Sequence, residues 1–340
     1  MTRASVLIPI HDKETTLPLT VDTVLRQSVE DLEVLLIGDG VTDGVRRVAH
    51  ELVAADDRVR FLDLPKGPFH GERYRHDAIE AATSDAIFYL CDDDLLLPEH
   101  VADLLALLED HDLVQCLNGY LTPAGQVRLY AADLSDPACV ALHVSDDLRF
   151  NSVSITGTAH TRAAYERVTR WDTTPAGQWP DHWQFRKILG LDGFRGATSS
   201  RMTALQFPTS ADGRDTWTDE ERVAEIRPWH RTVTTPGAQD ELDRLVRRGM
   251  LEQLIEERGQ ISVLQRDLVQ LQVQHRTELD EAATEVHRAN LRAEAAHHAI
   301  EELRETVDEL QGHVARLQEI REANEAKIES LRARLRAKRP

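Results

Sequence analysis

The sequence is short of several things, and each shortage excludes something. Its 340 residues include three cysteines, Cys91, Cys116 and Cys139, set far apart. That spacing makes neither a disulfide framework nor a paired metal-ligand motif, and the odd count favours a reducing compartment. No run approaches the ~18 consecutive apolar residues of a membrane span. Met1-Thr2-Arg3-Ala4 leads straight into a strand-like run, without the apolar stretch of a signal peptide. A soluble cytoplasmic protein is therefore expected. Basic residues are in deficit: 40 Lys and Arg against 59 Asp and Glu give a formal charge of −19. A general binder of phosphate backbones needs a basic face, so nucleic acid is not an expected partner. Aromatic residues are only 5% of the chain. From about Asp240 to Lys338 there are none, and no proline.

That last stretch is rich in Leu, Glu, Arg, Gln and Ala instead, with apolar residues at spacings of three and four. With Val286 as heptad position a, the a series continues through Ala293, Ile300, Val307, Val314, Arg321, Ile328 and Leu335. The d series is Ala289, Ala296, Leu303, Leu310, Leu317, Asn324 and Leu331. A pattern held over this many heptads predicts a coiled coil. Ile261, Leu264, Leu268 and Leu271 form an earlier run, and a four-residue offset between the two registers is a stutter. Val or Ile at a with Leu at d favours a parallel dimer. Arg321 and Asn324 interrupt the seam and would fix its register. A long helix folded back on its own chain is the alternative. The turn-rich Thr234-Thr235-Pro236-Gly237 separates two expected domains, 1–235 and a coiled-coil helix over 240–338.

The first part alternates strand-like and helix-like patterns. Strands are expected at 5–10, 33–37, 59–64 and 86–90, with helices at 17–27, 45–54, 76–83 and 101–108. Such alternation predicts an α/β fold with a mostly parallel sheet flanked by helices. Ligands of such sheets sit beyond the carboxyl ends of the strands. Polar residues stand where that rule wants them: His11-Asp12, Asp39, and the triplet Asp92-Asp93-Asp94.

The order of these motifs resembles family 2 glycosyltransferases, which have the Rossmann-like GT-A fold. Pro9-Ile10-His11-Asp12 is similar to that family's Pro-x-Tyr-Asn opening. Gln27-Ser28-Val29-Glu30-Asp31-Leu32-Glu33-Val34 is similar to its helix-to-strand junction. Ile37-Gly38-Asp39-Gly40-Val41-Thr42-Asp43 resembles Val-Asp-Asp-Gly-Ser-x-Asp. Arg73 to Ala82 resembles the Arg-Asn-x-Gly-Ile helix, and Leu90 to Pro98 the metal motif with its Leu-x-Pro follow-on. The likeness runs over residues 4–105 and is patchy beyond. Gly38, Val41, His76-Asp77-Ala78 and Cys91 depart from the pattern. Cys91 replaces the first acid, while Asp92 and Asp94 keep an Asp-x-Asp spacing, so which two acids would face a metal stays open.

The resemblance implies transfer of a sugar from a nucleotide-diphosphate donor of UDP type to a hydroxyl of a glycan, polymer or lipid-linked acceptor, with inversion. It implies Mg²⁺ or Mn²⁺ at Asp92, Asp93 and Asp94, since hard cations prefer carboxylates and water. An acidic turn capping the next helix is the plainer reading of that triplet. Asp39 would accept from the uracil imide N–H. Pro9, Ile10 and His11 would line the same pocket, with Asp92, Arg73 and Arg75 near the diphosphate. Asp181, in Gln178-Trp179-Pro180-Asp181-His182-Trp183, is the expected base for the acceptor hydroxyl. It would equally cap the helix running to Leu189. Trp179, His182 and Trp183 are expected on the acceptor side, and His230 as a third metal ligand. The C-terminal Arg332, Arg334, Arg336, Lys338 and Arg339 either match the helix dipole or touch anionic lipid at the inner face of the membrane. The competing function is a catalytically degenerate binding module on a coiled-coil scaffold.

The acidity is unevenly spread. Residues 241–340 hold 17 basic and 20 acidic side chains, leaving 23 basic and 39 acidic, or −16, in the first 240. The charge belongs to the expected sugar-transfer domain rather than to the helix.

Overall fold

The computed structural model of the protein describes residues 2–130, 132–145 and 151–336. The side chains of Arg334 and Arg336, and Lys338 and Arg339 entirely, lie outside that description, so the basic tip is not characterised. The chain divides into two compact units, 1–257 and 258–340.

The first unit alternates strands and helices as β1 (Ala4–Ile10), α1 (Leu17–Leu25), β2 (Leu32–Asp39), α2 (Asp43–Ala55), β3 (Val59–Leu64), α3 (Tyr74–Ala81), β4 (Ala86–Tyr89), β5 (Leu95–Leu96) and α4 (His100–Leu108). There follow β6 (Leu113–Gln115), β7 (Gly119–Leu121), β8 (Val127–Leu129), α5 (Pro137–Val144), β9 (Thr158–Thr161), α6 (Arg162–Glu166), α7 (Pro180–Leu189), β10 (Gly196–Thr198), β11 (Ala204–Leu205), a 3₁₀ turn (Arg214–Thr216), α8 (Asp219–Val233) and α9 (Ala238–Arg336). Seven strands form the main sheet in the order β10-β6-β9-β4-β1-β2-β3. Pairs β1–β2, β1–β4, β2–β3 and β10–β6 are parallel, whereas β9 runs antiparallel between β4 and β6.

Period-two alternation decides what each face buries. Val6, Ile8, Val34 and Leu36 meet α1, α2 and α4 through Val21, Val24, Val45, Ala49 and Leu104. Leu7, Leu35 and Ile37 turn the other way, onto Tyr74, Ile79, Tyr165, Phe185 and Ile188 of α3, α6 and α7. Helix starts follow capping chemistry: Thr42 accepts from Val45 N–H, and Thr218 forms a capping box with Glu221.

A third core gathers Leu95, Leu97, Leu121, Val127, Leu205, Phe207, Ile226 and Val233. Leu242 and Val246 of α9 complete it. The compact unit therefore runs past the turn at 234–237 expected to close it, because the first turns of α9 are amphipathic and bury one side. Gln253 ties them down, donating to the Leu129 carbonyl at 3.2 Å and accepting from its N–H at 3.1 Å.

The second unit is the rest of α9. Val286, Ile300, Leu303, Val307, Leu310, Val314, Leu317, Ile328 and Leu331 are all exposed along it. Among the described residues, no helix is long and apolar enough to cross a membrane.

Candidate functional site

Strands β4, β1 and β2 are parallel neighbours, so their carboxyl ends open on one crevice. At the end of β1, His11 Nδ1 donates to the Asp39 carbonyl at 2.7 Å and ties the first strand's end to the second's. Asp39 is 6% exposed. It accepts from Gly67 N–H at 2.6 Å and pairs with the Lys66 ammonium. Gly71 has a φ of +58° and packs on that carboxylate so closely that a Cβ there would collide with it. Pro9, Ile10, His11, Asp39, Arg75 and Asp92 line one cavity of about 280 Å³, together with Lys66, His70 and Cys91. Six residues expected at a nucleotide sugar thus share one cleft.

Arg75 is the unusual member. Its side chain is 7% exposed, and neither Nε nor Nη1 has a hydrogen-bond partner. Its guanidinium stacks on the Trp171 ring at 4.9 Å, and Trp171 Nε1 donates to Tyr89 Oη at 3.1 Å. Burial pulls the Arg75 pKa down, while nearby acids pull it back. A buried cation with free donors beside a cavity is a ready anion site.

The acid loop follows β4. Asp94 accepts from the Thr156 hydroxyl at 2.5 Å and from Phe207 N–H at 2.8 Å. Asp93 pairs with Arg222 of α8 at 2.8 Å. Thr16 donates to the Asp92 carbonyl at 3.1 Å. Burial, reinforced by repulsion from Asp93, holds the Asp92 carboxyl well above its ordinary range and lifts Asp94 to about 7. Burial and the same acids raise the Cys91 thiol, which stays protonated. The residues fit a hard divalent cation, which would relieve this crowding of negative charge. Among the described residues, no group of three or more His, Cys, Asp or Glu side chains could hold a metal. A cation here would complete its shell with donor phosphates and water.

On the other side of Cys91 lies a cavity of about 760 Å³, lined by Asp93, Asp94, Tyr130, Trp179, Asp181 and Gln206 among others. Cys91 lines both cavities. Asp181 sits in the first turn of α7, where Pro180 sets the helix start and Trp179 is the cap residue. Its Oδ1 accepts from His182 N–H at 2.8 Å. Burial raises its pKa, opposed by that hydrogen bond and by Arg75. Trp179 is 60% exposed at the cavity's mouth.

Other expected site residues lie elsewhere. His182 is buried and donates from Nε2 to the His143 carbonyl at 3.1 Å. Trp183 donates to Asp172 at 2.9 Å and carries Lys187 over its ring. Arg73 is exposed, with its guanidinium 5.5 Å from the Tyr74 ring. His230 binds Asp22 of α1 at 2.8 Å and lines neither cavity. Sequence reasoning missed Lys66, Thr156, Trp171 and Arg222. The loop Lys66-Gly67-Pro68-Phe69-His70-Gly71 did carry a signal, two glycines just after a strand. Nothing local marks Arg222.

Residues 5–136 match the family profile described as Glycosyl transferase family 2. The putative glycosyltransferase EpsE of Bacillus subtilis is 30% identical over 110 residues, which are 32% of this chain and 39% of that protein. The GalNAc(5)-diNAcBac-PP-undecaprenol beta-1,3-glucosyltransferase of Campylobacter jejuni is 25% identical over 108 residues, 31% of this chain and 34% of that one. The chain spans about a third of the length of the curated relatives it matches. Among solved structures, the mannosyltransferase PcManGT from Pyrobaculum calidifontis, in complex with GDP-Man and Mn²⁺, aligns with a TM-score of 0.47 at 16% identity, covering 67% of this chain and 62% of that one.

Proposed function

We propose that the protein, whose residues 5–136 match the profile of glycosyl transferase family 2, transfers a sugar, with inversion, from a nucleotide-diphosphate donor of UDP type to a hydroxyl of a glycan or lipid-linked acceptor. The observation that carries this reading is the meeting of two cavities at Cys91, one with the free guanidinium of Arg75 and the other with the carboxylate of Asp181. The first suits a diphosphate and the second an attacking hydroxyl.

In this reading Asp39 accepts a hydrogen bond from the base edge. Arg75 takes up the negative charge that grows on the departing diphosphate. The acceptor oxygen forms its bond to the anomeric carbon as the bond from that carbon to the diphosphate oxygen breaks, and Asp181 takes the hydroxyl proton. A raised carboxyl pKa makes Asp181 a better base than an exposed aspartate. Mg²⁺ or Mn²⁺ held at the acid loop would supply further neutralisation of the diphosphate. Trp179 gives a sugar ring an apolar face to rest on. The exposed seam of α9 supports self-association as a parallel dimer.

Asp181→Asn tests the assignment. Transfer from UDP-sugar and GDP-sugar panels, followed by product mass with Mn²⁺ present, is expected to fall by about 10²–10⁴-fold. Calorimetric binding of UDP is expected to persist. Wild-type transfer by the variant would remove Asp181 from the mechanism.

A further inference from the structure

Three carboxylates follow one another at 92–94, but their partners differ in charge. Asp93 is 7% exposed and Arg222 is 2% exposed. Arg222 Nη2 donates to Asp93 Oδ2 at 2.8 Å and to the Phe207 carbonyl at 2.6 Å, while Nη1 reaches Glu225 at 3.2 Å. Glu225 is shared, because Arg214 Nε also donates to its Oε2, at 3.0 Å. Two buried guanidiniums thus divide one glutamate between them, and Asp93 supplies the second buried negative charge. Asp212 stands 3.5 Å from Arg214 at the more exposed end of the group. A cation bonded to Asp93 would stand beside Arg222, placing two positive charges on one buried carboxylate.

Asp94 is held as firmly but by neutral donors, the Thr156 hydroxyl and the Phe207 amide. It lines the other cavity, beside Asp93, and not the donor-side one. Asp92 has only its carbonyl engaged by Thr16, and its side chain lines the donor-side cavity. No hydrogen bond to the Asp92 carboxylate is present among the described residues. The Phe207 peptide links the two anchored acids, its N–H given to Asp94 and its carbonyl to Arg222.

We infer that Arg222 is a positioning residue that commits Asp93 to holding the loop, and that Asp92, which lines the donor-side cavity with Arg75, is the carboxylate left to meet a cation there. The cation half of this rests on the donor reading above, and Arg222's role as anchor stands on its own. Asp93→Asn keeps an oxygen to accept from Arg222, so the loop should hold its shape.

Mn²⁺ uptake by the full chain, followed by electron paramagnetic resonance with UDP and then GDP present, separates the acids. Asp93→Asn is expected to leave Mn²⁺ affinity close to wild type. Asp92→Asn is expected to lower it by about 10–100-fold, the span reached even by outer partners of metal ligands. The opposite ranking, with both variants folded, overturns the inference. Thermal melts give the second readout. Arg222→Gln should lower the melting temperature by stranding Asp93, and adding Asp93→Asn should restore part of the loss. Additive losses would overturn the anchor. A wild-type protein that takes up no Mn²⁺ with either nucleotide overturns the donor reading and the cation half with it, whereas the melts judge Arg222 regardless.

Discussion

A guanidinium with two idle nitrogens is an expensive thing to keep in a folded interior, and Arg75 is such a group. Removing a buried donor that has no partner should stabilise the empty protein even as it weakens anion binding. Arg75→Met is therefore expected to raise ligand-free stability by about 1 kcal/mol, the relief being partly offset by lost stacking on Trp171. The same variant should weaken UDP binding while barely changing uridine binding. Denaturant melts and calorimetry check the two halves, and a variant that loses stability would show Arg75 to be structural. At this scale the sequence was readable where candidate residues and strand ends coincide. His11, Asp39 and Asp92 could be placed because each follows an apolar run that had to be a buried strand. Asp181 could be placed because proline and tryptophan mark a helix start. Arg222 could not, since its partner lies across the fold and its neighbours read as an ordinary charged helix. His182 misled for a related reason. Its place beside Asp181 suggested the cavity, but consecutive helical residues point about 100° apart, so it faces the protein interior.

At the scale of elements, two histidines report on how the sheet is closed. His160 lies on β9 and accepts or donates to Tyr89 Oη at 2.8 Å, and His100 opens α4 against Thr203 Oγ1 at 2.7 Å. Burial lowers their pKa values to about 4 and about 3. Both are therefore neutral in the folded chain. As pH falls below the ordinary histidine value of about 6.5, the unfolded chain takes up protons that the folded chain refuses. Each histidine then removes about 1.4 kcal/mol of stability per pH unit until its folded pKa is reached. Melting temperatures measured from pH 7 to pH 4 should fall, and more gently in His100→Gln or His160→Gln. Equal slopes in wild type and variants would contradict this. The elements up to α4, apart from the two-residue β5, were legible because each carries an apolar run or face. Strand β9 was not, because Thr158-Ala159-His160-Thr161 is short and polar and is a strand only through its two neighbours. The start of α9 was legible as helix, but its burial against the third core was not, since heptad counting asks only about partners of like kind.

For the whole molecule, the exposed seam of α9 is the feature that asks for a partner. Heptads made it legible in the sequence, because a period of seven survives without tertiary information. The full chain is expected to sediment as a dimer at micromolar concentration, and Leu303→Asp with Leu310→Asp should return it to a monomer. Sedimentation equilibrium decides, and a monomeric wild-type chain ends the proposal. The bond between Arg222 and Asp93 has a consequence of another kind. It joins positions 129 residues apart in the chain. Synthesis at roughly 5–20 residues per second therefore brings the acid loop out on the order of ten seconds before the arginine that anchors it. Until then the nascent chain holds adjacent carboxylates without the guanidinium that pairs with Asp93, in a stretch that must eventually be buried. Residues 5–136, which match the profile of glycosyl transferase family 2, thus emerge as an unfinished object. The acid loop takes its final form only when α8 arrives, so a ribosome stalled before that point would present a sheet with an open, unclamped crevice.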